Sequence, residues 1–346
     1  MFASQMMKKL PELVELERLV ELASDRARVS VLSEVEYRGF RFPLYSIAMG
    51  SNDPAAPVLG LFGGVHGLER IGTRVLLAYL STFLELARWD ATTNDLLSRT
   101  RLVFMPLVNP AGMYLQSRAN ANGVDLMRNA PVEAVGLPSY YLHAGQRLSR
   151  ILPWYQGDQG APMEVEAQAL CDLVRREAFG APLAVTLDVH SGYGALDRLW
   201  FPYARTKDPF PGLPEAFALK ELLDKTYPNH VYRVEPQALQ YTTHGDLWDY
   251  LYDEHRAREG AQGVYLPLCL ELGSWVWIKK NVRQMFSLLG AFNPLTPHRL
   301  ARTLRRHITL FEFLHRAVLS FDTWAVLPKN QREMNERRAK EIWYAP

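Results

Sequence analysis

The chain has 346 residues, 48% hydrophobic and 22% charged, which is enough to bury a large core. Lys plus Arg total 39 against 37 Asp plus Glu, and a net charge of +2 gives by itself no electrostatic footprint for nucleic acid or for an anionic membrane. The two cysteines, Cys171 and Cys269, make neither a disulfide framework nor a zinc ribbon and read as buried free thiols.

The first element is an amphipathic helix, with Leu10, Leu13, Leu16, Leu19, Val20 and Ala23 at helical spacing. Residues 1–23 lack the apolar stretch of a signal peptide, and no run reaches the length of a membrane span, so the expectation is a cytoplasmic protein. Residues 29–35 and 40–47 read as two strands joined by the turn Glu36-Tyr37-Arg38-Gly39. Residues 57–62 form a short apolar run ending in Gly63-Gly64, a buried strand, and residues 70–87 follow as a helix. Residues 101–108 give another buried strand. Residues 109–160 are rich in Asn, Gly and Pro and have little periodicity; so long an irregular stretch in a compact domain is usually functional.

Further on, residues 164–179 read as a helix and 183–189 as a buried strand ending at His190. A strand over 199–202, helices over 213–225 and 246–258, a strand over 264–272 and one long helix over 300–318 complete the pattern. Strands alternating with helices predict an α/β fold: a mixed, mostly parallel twisted sheet with helices on both faces. The expected organisation is one catalytic domain over 29–299, with helical extensions at 1–28 and 300–346. The mixed-sign run Arg332–Lys340 reads as a solvated helix face.

Chemistry concentrates at strand ends. His66 and Glu69 sit three apart at a strand-to-helix junction, where an imidazole and a carboxylate can point at one ion. His190 ends a second apolar strand, and in open α/β sheets ligands collect beyond the carboxyl ends of the strands. Two His and one Glu make a set that Zn²⁺ accepts while keeping a fourth position for water. Glu271, inside Leu-Cys-Leu-Glu-Leu-Gly, is costly to bury without a role or a partner. It reads either as a salt-bridged strand residue or as a general base. Arg118 and Arg128 lie ten apart among turn formers, and a guanidinium is a natural partner for a carboxylate or a polarised carbonyl; two solvent-exposed arginines are the plainer alternative.

Four segments in order resemble the zinc metallocarboxypeptidase family, the carboxypeptidase A/B-like enzymes and their bacterial amidase relatives. They are Gly63-Gly64-Val65-His66-Gly67-Leu68-Glu69, Arg118 through Asn129, Asp188-Val189-His190-Ser191 and Leu270-Glu271-Leu272-Gly273. The resemblance covers about residues 57 to 275. It implies that His66, Glu69 and His190 hold one Zn²⁺, the ligand set of carboxypeptidase A. It implies Glu271 as general base to a Zn-activated water and Arg118 as the group that stabilises the oxyanion. Asp125 takes the place of the aspartate that fixes the first histidine's tautomer. Arg128 takes the place of the arginine that holds the substrate's terminal carboxylate, and Tyr241 stands near the family's mobile tyrosine, with Tyr193 and Tyr250 as competitors.

One departure stands out. The family's Asn-Arg is Met127-Arg128 here, and a thioether donates no hydrogen bond. Losing one charge-assisted bond weakens carboxylate binding by roughly 1.5–3 kcal/mol. Either Asn129 or Asn122 compensates, or the substrate is not an ordinary peptide C-terminus. Three expectations follow: a carboxypeptidase-like amide hydrolase, an N-acyl amino acid deacylase or cell-wall peptide amidase on the same core, and a non-catalytic binding protein on a peptidase fold. The expected partner is a peptide or an N-acyl amino acid, with no nucleic acid and no membrane. Asp246 or Asp249, near the expected wall of the side-chain pocket, would favour a basic side chain or merely start or face a helix.

Overall fold

The computed structural model describes residues 6, 8–137, 141–259 and 263–345. Pro11–Ala23 forms α1, begun by Pro11 at its first turn, where a missing N–H costs nothing. Arg28–Tyr37 (β1) and Phe40–Gly50 (β2) pair antiparallel, with Tyr37 opposite Phe40. Their two-residue turn places both Arg38 and Gly39 at positive φ, +50° and +77°, the twist that matches a right-handed hairpin. Val58–Gly63 (β3) leads through the His66 loop to Arg70–Trp89 (α2). Ala91–Arg99 (α3) is capped by Asp90, which accepts from Thr93 N–H, and runs into Arg101–Met105 (β4).

The expected irregular stretch is mostly turns and loops, with one short helix, Pro110–Leu115 (α4), capped by the Asn109 side chain. Val165–Ala178 (α5), Leu183–Ser191 (β5), Arg198–Phe201 (β6) and Leu213–Thr226 (α6) follow. Arg233–Pro236 (β7) was not foreseen: four residues, half of them charged, carry no readable periodicity. Leu247–Ala257 (α7), Val264–Leu272 (β8) and Trp275–Lys280 (α8) complete the central part.

The strands form one eight-stranded sheet in the order β1-β2-β4-β3-β5-β8-β6-β7. Its centre, β4-β3-β5-β8, is parallel; β2 pairs antiparallel on one side and β6 on the other. Every residue of β3, β4 and β5 is buried, so both faces of the sheet's centre are covered. The α/β class with a mixed sheet is thus the architecture observed.

The expected long helix over 300–318 is instead two: Pro297–Arg306 (α9) and Ile308–Leu319 (α10). They meet at His307, a buried residue whose Nδ1 lies 2.9 Å from the Tyr232 hydroxyl. The break lets α10 bury Leu310, Phe311, Leu314 and Val318 in the main core, with the Phe311 and Tyr79 rings 5.0 Å apart. Lys329–Trp343 (α11) lays Ala339 and Trp343 onto α6, with the Trp343 indole donating to Val234 O at 3.0 Å. Its outer residues are exposed, as read, although Arg332 pairs with Glu215.

Candidate functional site

The loop after β3 and the ends of β5 and β8 meet at one place. Register explains why. His190 on β5 lies directly opposite Glu271 on β8, and Asp188 opposite Cys269. On the other side of β8, Arg198 pairs with Glu271 and Trp200 with Cys269. Because side chains alternate along a strand, each of these rows shares one face of the sheet. His66 and Glu69 reach that face from the start of α2.

Three ligand atoms converge there. Among the described residues, His66, Glu69 and His190 form a group whose candidate donor atoms all lie within 4.8 Å of one another. The Nδ1 atoms of His66 and His190 stand 3.2 Å apart, and Glu69 carboxylate oxygens lie 2.8 Å and 3.0 Å from them. The far nitrogens are engaged: His66 Nε2 with Asp125 Oδ1 at 3.0 Å, and His190 Nε2 with Asp188 Oδ2 at 2.6 Å. If each far nitrogen carries the proton, both near nitrogens present bare lone pairs to the same point. Two lone pairs and a carboxylate facing each other at such distances suit a cation. Two neutral nitrogens with one carboxylate match the chemistry of zinc.

The second carboxylate, Asp188, is a residue that sequence reasoning did not single out. It accepts a hydrogen bond from the Trp248 indole at 3.1 Å as well as facing His190. The signal was there: an acid two residues before a candidate ligand on a buried strand must share its face. Asp125 faces His66 and is held by Arg118 Nε at 2.7 Å and Met127 N–H at 3.1 Å. Burial alone would raise the Asp125 carboxyl, but Arg118 and His66 hold it well below the usual carboxylate range.

Glu271 and the two arginines line the same cavity of about 480 Å³ as the three candidate ligands. Burial and then the charge of Glu69 push the Glu271 carboxyl above its ordinary value, against the pull of His190, the Tyr193 N–H and Arg118. The Tyr193 N–H donates to Glu271 Oε1 at 2.9 Å. Arg118 Nη1 reaches Glu69 at 3.4 Å. Arg128 is buried, with Nη1 donating to Met127 O at 3.1 Å and Nε without a hydrogen-bond partner among the described residues. Tyr241 also faces the cavity, packed at 5.5 Å from Tyr193 and 5.8 Å from Trp200, ring centre to ring centre. Tyr250 is not there; it contacts Arg175.

One expectation is corrected and one open alternative is decided. Asn129 is not among the cavity's residues: its amide donates to Gln156 O at 2.9 Å and its oxygen accepts from Glu164 N–H at 2.6 Å, so it braces the loop. Asn122 is likewise tied to Glu164 at 2.6 Å. Neither amide stands in for the one absent at Met127, which does line the cavity. Asp246 and Asp249 also lie outside it. Asp246 caps α7 by accepting from the N–H groups of Trp248 and Asp249, and Asp249 accepts from those of Ala204 and Arg205. Trp200 and Cys269 line the cavity instead.

The mixed sheet, the ligand cluster at its strand ends and the facing Glu271 place the molecule among metallopeptidase folds. The chain belongs to the zinc carboxypeptidase family, whose profile matches residues 20–274. It is 34% identical over 116 residues to the carboxypeptidase N catalytic chain of Homo sapiens, covering 30% of this chain and 25% of that one. It is 32% identical over 93 residues to carboxypeptidase SOL1 of Arabidopsis thaliana, covering 26% and 19%. The chain thus spans about a quarter or less of the length of these curated relatives. Among solved structures it resembles thrombin activatable fibrinolysis inhibitor, with a TM-score of 0.64 and 18% identity over 88% of this chain and 72% of that one. It also resembles carboxypeptidase A from Helicoverpa armigera, with a TM-score of 0.63 and 17% identity over 88% and 71%. At such identities these structures establish the fold.

Proposed function

We propose that this chain hydrolyses a peptide or amide bond next to a carboxylate-bearing residue, with one zinc ion held by His66, Glu69 and His190. The observation that carries this reading is the convergence of those three side chains in a cavity that also holds Glu271, Arg118 and Arg128. A zinc ion, when bound, supplies Lewis acidity and lowers the pKa of a water towards neutrality.

The chain's own residues do the rest. Glu271 takes a proton from the attacking water and delivers it to the leaving amine; the Tyr193 N–H at Oε1 leaves Oε2 for the transfer. Arg118, its Nε anchored on Asp125, donates to the carbonyl oxygen as negative charge develops there. Arg128 holds the substrate's carboxylate, and Tyr193, Trp200 and Tyr241 exclude water around the adjoining side chain.

A second reading, deacylation of an N-acyl amino acid or of a cell-wall peptide, is favoured by one observation. Met127 occupies the cavity wall beside Arg128, and the neighbouring amides of Asn122 and Asn129 are committed elsewhere. A carboxylate there loses one donor. The test is an assay of metal-loaded protein on Ala- and Phe-terminated peptides and on N-acyl amino acids, with chelated and Glu271→Gln protein as controls. Chelation should abolish turnover and Glu271→Gln should lower it by about 10²–10⁴; equal activity of Glu271→Gln on every substrate overturns the catalytic reading. Much faster turnover of the peptides removes the deacylase reading.

A further inference from the structure

The stretch from the end of β8 to the middle of α10 differs in charge from the rest of the chain. Residues 272–311 hold Lys279, Lys280, Arg283, Arg299, Arg302, Arg305 and Arg306, while all 37 Asp and Glu of the protein lie elsewhere. The balanced total conceals this asymmetry. Among the described residues only Arg306 of the seven is in an ion pair, with Asp197 at 3.1 Å. The same stretch exposes Trp275, Val282, Met285, Leu288 and Phe286, the last at 87%. Large apolar side chains gathered on a surface in this way signal a contact.

This segment is built into the rim of the candidate active site. The Gln284 side chain donates to Gly290 O at 2.9 Å and Asn293 O at 2.7 Å, closing the loop on itself. Asn293 accepts from Ile71 N–H at 2.9 Å and donates to Leu68 O at 2.8 Å, on either side of Glu69. Ser191, next to His190, donates its hydroxyl to Phe292 O at 2.8 Å, and the Phe292 ring lines the cavity. Arg299 donates to Trp277 O at 3.1 Å and ties α9 to the same unit. A second cavity-lining segment, with His143 and Trp154, exposes Leu148 and Ile151.

We propose that residues 275–288 form a docking surface for an anionic phospholipid membrane, which sets the cavity mouth against the bilayer. Apolar side chains interleaved with Lys and Arg suit the boundary between acyl chains and anionic headgroups, which satisfies both at once. A second copy of the chain meeting this patch with its own would set cations against cations. Nucleic acid would satisfy the charges and leave Val282, Phe286 and Leu288 uncovered. No helix among the described residues is long and apolar enough to cross a membrane, so the contact is peripheral.

Flotation of the full chain with vesicles tests this, using phosphatidylcholine alone and phosphatidylcholine with one third phosphatidylglycerol at physiological ionic strength. The protein should float with the anionic vesicles and not with the neutral ones. Met285→Ser with Phe286→Ser should lower the partition about tenfold or more, and Lys279→Gln with Lys280→Gln should lower it by a similar factor and weaken its salt dependence. The readout uses no substrate, so it fails separately from the hydrolase reading. Three results overturn the proposal: no binding to anionic vesicles, binding that Met285→Ser with Phe286→Ser leaves unchanged, or a dimer that this double substitution splits while vesicles recover nothing.

Discussion

In the proposed hydrolase, individual side chains divide the work between holding and reacting. Asp125 and Asp188 each face the far nitrogen of one histidine, so they set which nitrogen turns inward. Asp188→Asn should weaken zinc affinity by about 10–100-fold, measured by competition with a chromophoric chelator. Glu271→Gln should keep the metal content of the parent protein and lose about 10²–10⁴ in turnover. Metal analysis beside a hydrolysis assay separates the two effects. Met127→Asn places an amide beside Arg128 again; if the substrate has a free C-terminal carboxylate, its KM should fall about tenfold or more with kcat little changed. The three candidate ligands and Glu271 were legible as candidates because their spacing and strand-end positions are local properties. Asn129 was misread, since its Gln156 and Glu164 partners lie 27 and 35 residues away along the chain.

Elements bring these residues together through register. β5 beside β8 aligns His190 with Glu271, and the apolar runs of both strands were plain in the sequence, whereas their adjacency was not. The loop that carries Arg128 depends on a close backbone approach at Gly245. This residue has φ +68°, accepts from Ala130 N–H at 3.0 Å and donates to Val132 O at 2.7 Å. A Cβ there would stand 1.9 Å from Arg128 O. Gly245→Ala therefore has to displace the Arg128 backbone. It should lower stability by about 1–3 kcal/mol in a denaturant titration, and raise KM more than it lowers kcat. The break at His307 shows the opposite case, in which a continuous helical pattern is interrupted. Helical spacing continues through 300–318, yet α10 turns into the main core while α9 keeps Arg302 and Arg305 exposed.

For the molecule as a whole, stability should depend on three histidines remote from the site. Burial holds His315, His307 and His255 down to about 4 each. His307 feels opposing charges from Asp197 and Arg306, and His255 is lowered further by Arg258. Unfolded, each binds a proton near its ordinary pKa of about 6.5, so the unfolded state holds more protons between those values. The stability they leave intact above pH ~6.5 should therefore be lost as pH falls towards ~4, by up to ~2–3 kcal/mol per histidine, and His315→Gln should flatten that slope in urea titrations. Hydrophobic periodicity, turn residues and the order of four short motifs were enough to determine the α/β class, the family likeness and the three ligand candidates, because each is written within a few neighbouring residues. Which amides reach the cavity, that Trp200 and Cys269 rather than Asp246 or Asp249 line it, and that a basic, apolar segment borders it were decided by tertiary structure. Those facts depend on strand register and on contacts between distant residues, and a one-dimensional pattern carries neither.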